Sequence, residues 1–349
     1  MPLHHRFFIR NPGLQFVLTV LVSVCLLCFT LMRGPSVQVV QRRRSLMSID
    51  NVRNIVQDIS INGSTIKNPV NPLSNGYIHQ PSDICNAYNK NSPSFLLILV
   101  KSDASNPAQR MAIRQTWGNI TDQSIKIIFL IGYYSIVEDI IELEANRHKD
   151  ILQGEFVDIY RNNLNKTVMA YRWAVDNCLN TQYFFFVDDD FFVNVRNIIQ
   201  YLGSKSVQST RNLFIGHAII NAKPFRDKSS KWYTTLQEYP YDTYPPYLSG
   251  GAILISTKVA KLLKTAFPYV QYFHIDDVYL GMVAKKLNIT PLHDDRFDVE
   301  HTSPMHLKDT FASHGYGDHR ELLVLWGVFL DTMSLKSSRH ISEYDRRSA

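Results

Sequence analysis

The stretch Tyr183 to Asn194 reads YFFFVDDDFFVN. Five apolar or aromatic residues run into Asp188, Asp189 and Asp190, and apolar residues then resume. Such an unbroken run is the pattern of a strand buried on both faces, as in a parallel sheet. Adjacent carboxylates at its end repel one another, and removing them from water is costly unless something compensates. Alternate residues of an extended segment share a side, so Asp188 and Asp190 are expected to face one cavity while Asp189 turns away. A hard divalent cation with oxygen ligands would relieve the repulsion, and such a cation is useful beside a diphosphate leaving group. The plain alternative is an acidic turn in solvent, against which the flanking FFFV and FFV argue.

Working outward, similar runs recur. FLLILV (95–100), IKIIFLIG (125–132) and EFVDIY (155–160) read as strands. AQRMAIRQTW (108–117), closed by Gly118, reads as a helix, as do IVEDIIELEANRHK (136–149) and Thr167 to Cys178. NLFIGH and AILIS follow as strands, then helices near Lys258 to Thr265, Asp276 to Lys286 and Glu321 to Leu330. Strands alternating with helices predict an α/β domain with a mostly parallel sheet covered on both faces. Ligands of such sheets bind beyond the carboxyl ends of the strands, where the aspartates lie.

The chain has 349 residues and is 45% hydrophobic with only 19% charged residues, which excludes a disordered chain. Its net charge of +6 is weak support for nucleic-acid binding, because Arg6, Arg10, Arg33, Arg42, Arg43 and Arg44 concentrate it at the N-terminus. Leu14 to Met32 carries no charge and is long enough to span a bilayer. A cleaved signal peptide would have a shorter core and a small-residue site, which RGPSVQ does not supply. The expected order is a tail (1–13), a membrane anchor (14–32), a flexible stem (33–93) and a catalytic domain (94–349). Arginines flank both sides of the span, so charge leaves its orientation open. N-x-S/T sites at Asn62, Asn119, Asn165 and Asn288 favour a lumenal domain. Outside the span only Cys85 and Cys178 remain, able to form one disulfide or to stay two buried thiols.

Several further groups could carry chemistry. Arg110 and Arg114 share a helix face and suit phosphate oxygens, or else form a solvated basic face; Lys166 is similarly placed between the two roles. Asp276 and Asp277 open a helix, where one could cap it and the other act as a general base. Lys231 to Gly251, KWYTTLQEYPYDTYPPYLSGG, offers Trp232, Tyr244 and Tyr247 as faces for stacking a sugar, with Gly250 and Gly251 permitting close backbone approach; a packed surface loop is the alternative. His314 could complete an Asp/His metal site.

RMAIRQTWG, FFFVDDDFFVN, KWY…EYP…YPPYLSGG and IDDVYLG, in this order, resemble the β-1,3-glycosyltransferase family of Golgi enzymes, over roughly Ser94 to Trp326. The blocks ASHGYGDHRELLVLW and DDVYLGMVAKKLNI look closest to its brainiac-like subgroup. The resemblance implies a GT-A nucleotide-sugar-binding fold behind a type II anchor in the Golgi membrane. It implies Mn²⁺ held by Asp190, Asp188 and His314, and a UDP-sugar donor contacted by Arg110, Arg114, Asp188, Asp189 and Lys166. It further implies Asp277 as the catalytic base, and an acceptor glycan on lipid or protein held by Trp232, Tyr244, Tyr247, Gly250, Gly251 and Asp276. The donor would be UDP-galactose or UDP-N-acetylglucosamine. There are departures: Asp276 stands where the family has Glu, Leu248 where many members have Cys, and YRNNLNKT is one step off the usual pattern around Lys166 and Thr167. Two other classes remain open: a non-catalytic carbohydrate-binding relative, and a metal-dependent phosphohydrolase.

Overall fold

The apolar runs become the centre of a mixed sheet. The structure is a computed structural model that describes residues 49–71, 76–81, 84–85, 94–178 and 180–347, with Ser23 besides; of residues 49–51 and 334–347 it gives the backbone. The expected tail and membrane anchor lie outside the described residues, apart from Ser23. Among the described residues no helix is long and apolar enough to cross a membrane.

In chain order the elements are α1 (Ile49–Asn62), β1 (Tyr77–His79), β2 (Leu96–Lys101), α2 (Pro107–Gln115), β3 (Ile125–Tyr133), α3 (Glu138–His148), β4 (Ile151–Val157), α4 (Asn163–Asn177), β5 (Tyr183–Asp188) and β6 (Phe191–Val193). Then come α5 (Val195–Gly203), α6 (Val207–Thr210), β7 (Phe214–Ile219), β8 (Tyr247–Ser256), α7 (Thr257–Ala266), α8 (Asp276–Lys286), β9 (Leu292–His293), β10 (Phe297–Asp298), β11 (Ala312–His314) and α9 (His319–Arg347).

The main sheet runs β1-β4-β3-β2-β5-β8-β7-β9. Its core, β4-β3-β2-β5, is parallel, while β1 joins β4 and β8 joins β5 and β7 antiparallel. The central sheet is thus mainly parallel. Leu96 to Val100 of β2 and Phe184, Phe185 and Val187 of β5 are fully buried, as strands covered on both faces require. A small second sheet, β10-β11-β6, hangs beyond the end of β5. Helix ends follow local chemistry: Pro107 opens α2, where a missing N–H costs nothing, and the Asn194 side chain accepts from Asn197 N to cap α5. A Cβ at Gly118 would lie 2.6 Å from the Ile113 carbonyl, so the closure of α2 needs glycine.

Two expectations change. The third strand is Ile151–Val157 rather than 155–160. Ile151 and Leu152 find partners in Phe129 and Leu130 of β3, and the strand stops before Asp158, whose carboxylate accepts from the backbone of Ala104 and Gly132. The region read as a stem contains parts of the folded domain. Val52, Ile55 and Val56 of α1 are buried, β1 extends the sheet, and the Asn71 amide donates to the carbonyls of Phe267 and Val270. Its apolar positions are few and set among polar residues, so they show no sustained period in the sequence.

Cys85 and Cys178 are joined by a disulfide across 93 residues of chain. Of the sequon asparagines, Asn62, Asn119 and Asn288 are exposed and Asn165 is half-buried.

The described residues from 49 onward divide into two compact units, residues 225–242 and the remainder. The small unit is closed by Arg226, whose guanidinium donates to the carbonyls of Thr234, Tyr239 and Tyr241. Within it, Trp232 rests against Phe225 with ring centroids 5.2 Å apart, and Lys231 Nζ lies 4.6 Å over the indole.

Candidate active site

The register of the central strands builds the site. Parallel pairing of β2 with β5 sets Lys101 beside Asp188 at their carboxyl ends. Lys101 Nζ lies 3.0 Å from Asp188 Oδ1 and 3.2 Å from Asp276 Oδ2. Burial works against the ammonium, but Asp188 and Asp276 hold its pKa above the ordinary lysine value. Burial pushes the Asp188 carboxyl up to about 6, Lys101 opposing and Asp190 assisting.

After Asp188 the strand gives way to a turn, and each aspartate takes a different partner. Asp189 Oδ2 accepts from Ser102 Oγ at 2.7 Å, and its carbonyl accepts from Gln109 Nε2 at 2.7 Å. Asp190 is brought to His314 because β6 pairs antiparallel with β11, setting Phe191 opposite His314. His314 Nε2 stands 3.1 Å from Asp190 Oδ2. The repulsion evident in the sequence is therefore relieved by three protein partners: an ammonium for Asp188, a hydroxyl for Asp189 and an imidazole for Asp190. Asp188 and Asp190 do not converge on one atom. Among the described residues no group of three His, Cys, Asp or Glu side chains is placed to hold a metal ion. Asp190 Oδ1 is buried and makes no hydrogen bond.

The second pair of carboxylates opens α8, in its first turn, with Ile275 as the preceding cap residue and no side-chain capping bond. Asp276 Oδ2 accepts from Thr167 Oγ1 at 2.6 Å as well as pairing with Lys101. Burial alone would raise the Asp276 carboxyl, but Lys101 and Thr167 outweigh it and hold its pKa below the ordinary value. Asp277 next door is pushed the other way, up to about 7, by burial and by the Asp276 anion. Its Oδ1 accepts from Val278 N at 2.7 Å, while Oδ2 faces Gly250 N at 3.4 Å. The adjacent carboxyls are thus pushed in opposite directions, Asp276 towards its anion and Asp277 towards its protonated form.

Around Asp277 the YPPYLSGG segment is partly buried, with Pro246 exposed. Tyr244 is buried, edge-on to Tyr247 and Phe273. The Tyr247 hydroxyl is raised by burial and by Asp277. The glycines make room for side chains. A Cβ on Gly250 would lie 3.1 Å from Asp277 Cβ, and one on Gly251 would meet the Phe191 ring at 2.4 Å. We expect Gly251→Ala to lower stability by about 2 kcal/mol through overpacking, read as a fall in the thermal midpoint; an unchanged midpoint would mean that Phe191 swings aside freely. Trp232 belongs to the separate small unit, where it is 38% exposed.

The three cations expected at phosphates are engaged elsewhere. Arg110 is wholly buried: it meets Glu144 through Nε at 2.9 Å and Nη2 at 2.7 Å, and donates through Nη1 to the Asp103 carbonyl at 2.7 Å. Arg114 pairs with Glu144 and Asp150, each at 2.8 Å, over the face of Phe129. Lys166 Nζ pairs with Asp158 at 2.6 Å and donates to the Ser102 carbonyl. In this arrangement none presents its charge to a diphosphate; the cost of an unpaired buried cation explains why each has its carboxylate. Helix periodicity shows that two arginines share a face, not which way that face looks. Lys101 connects Asp188 to Asp276, and Thr167 holds Asp276 from a second element; no motif marks Lys101. The available signal was a lone cation ending the apolar run FLLILVK.

A galactosyltransferase family model matches residues 108–295, more than half of the chain. Beta-1,3-galactosyltransferase brn of Drosophila melanogaster is 38% identical over 241 residues, covering 67% of this chain and 74% of the relative. Beta-1,3-galactosyltransferase 1 of Homo sapiens is 34% identical over 241 residues, covering 68% and 72%. Lactosylceramide 1,3-N-acetyl-beta-D-glucosaminyltransferase A of Danio rerio is 31% identical over 263 residues, covering 70% and 68%. Among solved structures, galactosyltransferase LgtC with donor and acceptor sugar analogues aligns at 14% identity and a TM-score of 0.36, covering 66% of this chain and 95% of that one. With its aspartate pairs at the carboxyl end of a mainly parallel sheet and these relatives, the chain belongs to the galactosyltransferase family, as a hexosyltransferase that forms β-1,3 linkages.

Proposed function

We propose that the chain moves galactose or N-acetylglucosamine from a UDP-sugar to the 3-hydroxyl of an acceptor glycan, with inversion, in the Golgi lumen behind a type II anchor and on a GT-A fold. The observation that carries the mechanism is the Asp276–Asp277 pair. Asp277 accepts the proton of the acceptor hydroxyl as that oxygen bonds to the anomeric carbon, and the bond from that carbon to UDP breaks on the opposite face. Asp276 stays ionised and keeps Asp277 basic enough to act near neutral pH. The Cys85–Cys178 disulfide and the exposed sequons support an oxidising lumen. The apolar stretch Leu14 to Met32 supports the anchor. Tyr247, whose hydroxyl feels the Asp277 carboxyl, is proposed to shape acceptor binding.

Mn²⁺ fits the donor side through Asp190 and His314: the orphaned, buried Asp190 Oδ1 and the adjacent imidazole are an oxygen and a nitrogen donor of suitable kind. When bound it would neutralise charge on the departing diphosphate. Asp190 and His314 would hold the ion, together with oxygens of the donor. Activity should vanish on dialysis against a chelator and return with Mn²⁺. Asp190→Asn should raise the half-saturating Mn²⁺ concentration by about 100-fold; an unchanged requirement would remove Asp190 from the site.

The deciding experiment incubates the purified full chain and Mn²⁺ with each UDP-sugar and a panel of acceptor glycosides, and reads the linkage by NMR. A β-1,3 product is expected. Phosphate release independent of acceptor would indicate a phosphohydrolase, and sugar binding without turnover a carbohydrate-binding relative.

A further inference from the structure

We infer that Lys101 and Thr167 are positioning residues for the transfer step, clamping Asp276 beside Asp277 and tying that carboxylate to the aspartate that ends β5. The inference rests on Asp277 being the base. It goes further by assigning work to two side chains that touch neither Asp277 nor an acceptor.

The geometry is specific. Lys101 is the last residue of β2, with its side chain 11% exposed, and its one ammonium reaches Asp188 at 3.0 Å and Asp276 at 3.2 Å. Those carboxylates come from β5 and from α8, elements far apart in sequence. Thr167 of α4 supplies a hydroxyl to the same Asp276 oxygen at 2.6 Å. Asp276 is thus held from two elements while Asp277, one residue on, keeps an oxygen at only 3.4 Å from the Gly250 N–H. The titratable groups facing Asp277 are Asp276 on its own helix, Tyr247 from β8 and Lys101 from β2. Lys101 therefore acts in two ways. It keeps Asp276 ionised, and its positive charge opposes the field of the Asp276 anion on Asp277. An ion pair serving the fold alone, out of electrostatic reach of Asp277, would leave the proton affinity of the base unmoved when either partner is removed. This cluster predicts opposite effects.

The test compares pH profiles of kcat for purified full-length variants with Mn²⁺, a UDP-sugar and the acceptor. Asp276→Asn removes the neighbouring anion, so the acid limb should move down by about one pH unit. Lys101→Met removes the cation, so the limb should move up, and Lys101→Arg should return it towards the wild-type position. Should Lys101→Met fail to fold, Thr167→Val decides. Its kcat should fall about tenfold with the donor KM within about twofold of wild type, and Thr167→Ser should restore it. Asp277→Asn is the control. If it is inactive while neither Asp276→Asn nor Lys101→Met moves the limb, or Thr167→Val keeps its full kcat, the clamp is overturned and the base survives. If Asp277→Asn transfers sugar normally, the base assignment itself falls.

Discussion

Asp277→Asn should lower kcat by about a thousandfold while leaving UDP binding intact. The amide keeps the shape of the carboxyl, and its oxygen can still accept from Val278 N, so the start of α8 is preserved. What is lost is the capacity to take the acceptor proton. In the wild-type protein the Asp277 carboxyl sits at about 7, so activity should rise with pH through neutrality as the carboxylate forms. The same shift has a stability signature of fixed sign. A carboxyl raised from 3.8 to about 7 binds its proton more tightly in the folded chain than in the unfolded one. Its contribution to stability is fully present below pH 3.8 and is lost as pH rises through about 7. The Asn variant should therefore gain in thermal midpoint over wild type as pH rises from 4 to 7, and the gain should level off above. Titration calorimetry with UDP, initial rates and thermal scans over that range check each part. Undiminished transfer would sink the assignment.

Arg110→Ala should destabilise the fold by about 3 kcal/mol, the scale for breaking a buried ion pair, and so lower the thermal midpoint by roughly 6–12 °C. The guanidinium is wholly buried, forked onto Glu144, and donates to Asp103 O and, through Nη1, to Ser102 Oγ at 3.2 Å. It thereby fixes the loop after β2 from which Ser102 holds Asp189. Arg110→Lys should recover little, because an ammonium does not reproduce the fork. A residue acting on the donor diphosphate would behave differently, weakening UDP binding at nearly unchanged stability. Thermal unfolding and UDP titration of the same variant separate these outcomes.

The legible part of the fold was the part written in local periodicity. FLLILV, IKIIFLIG and YFFFV are apolar without interruption, which a strand covered on both faces requires, and they became β2, β3 and β5. The bounds of α8 could be read from DDVYLGMVAKK alone. By contrast α1 and β1 lay hidden in polar surroundings, since their stability comes from packing on distant elements rather than from their own sequence. The start of β4 was missed for the same reason: pairing with β3, not propensity, decides where it begins.

For the site, the sequence by itself determined which chemistry was on offer: carboxylates at the end of a buried strand, a second acidic pair at a helix start, a histidine near the C-terminus, and the family pattern that joins them. Only the tertiary structure decided what each group faces. Alternation held Asp188 and Asp190 together on paper, but the turn after β5 sends one to Lys101 and the other to His314. Helical spacing put Arg110 and Arg114 on one face, and the fold turned that face onto Glu144 and Asp150. Gly250 and Gly251 promised close approach, and what approaches is Asp277 and Phe191. The physical reason is common to all three. Side-chain direction is set locally, but the cost of burying a charge is settled by partners 34 to 124 residues away along the chain, which local sequence does not reveal.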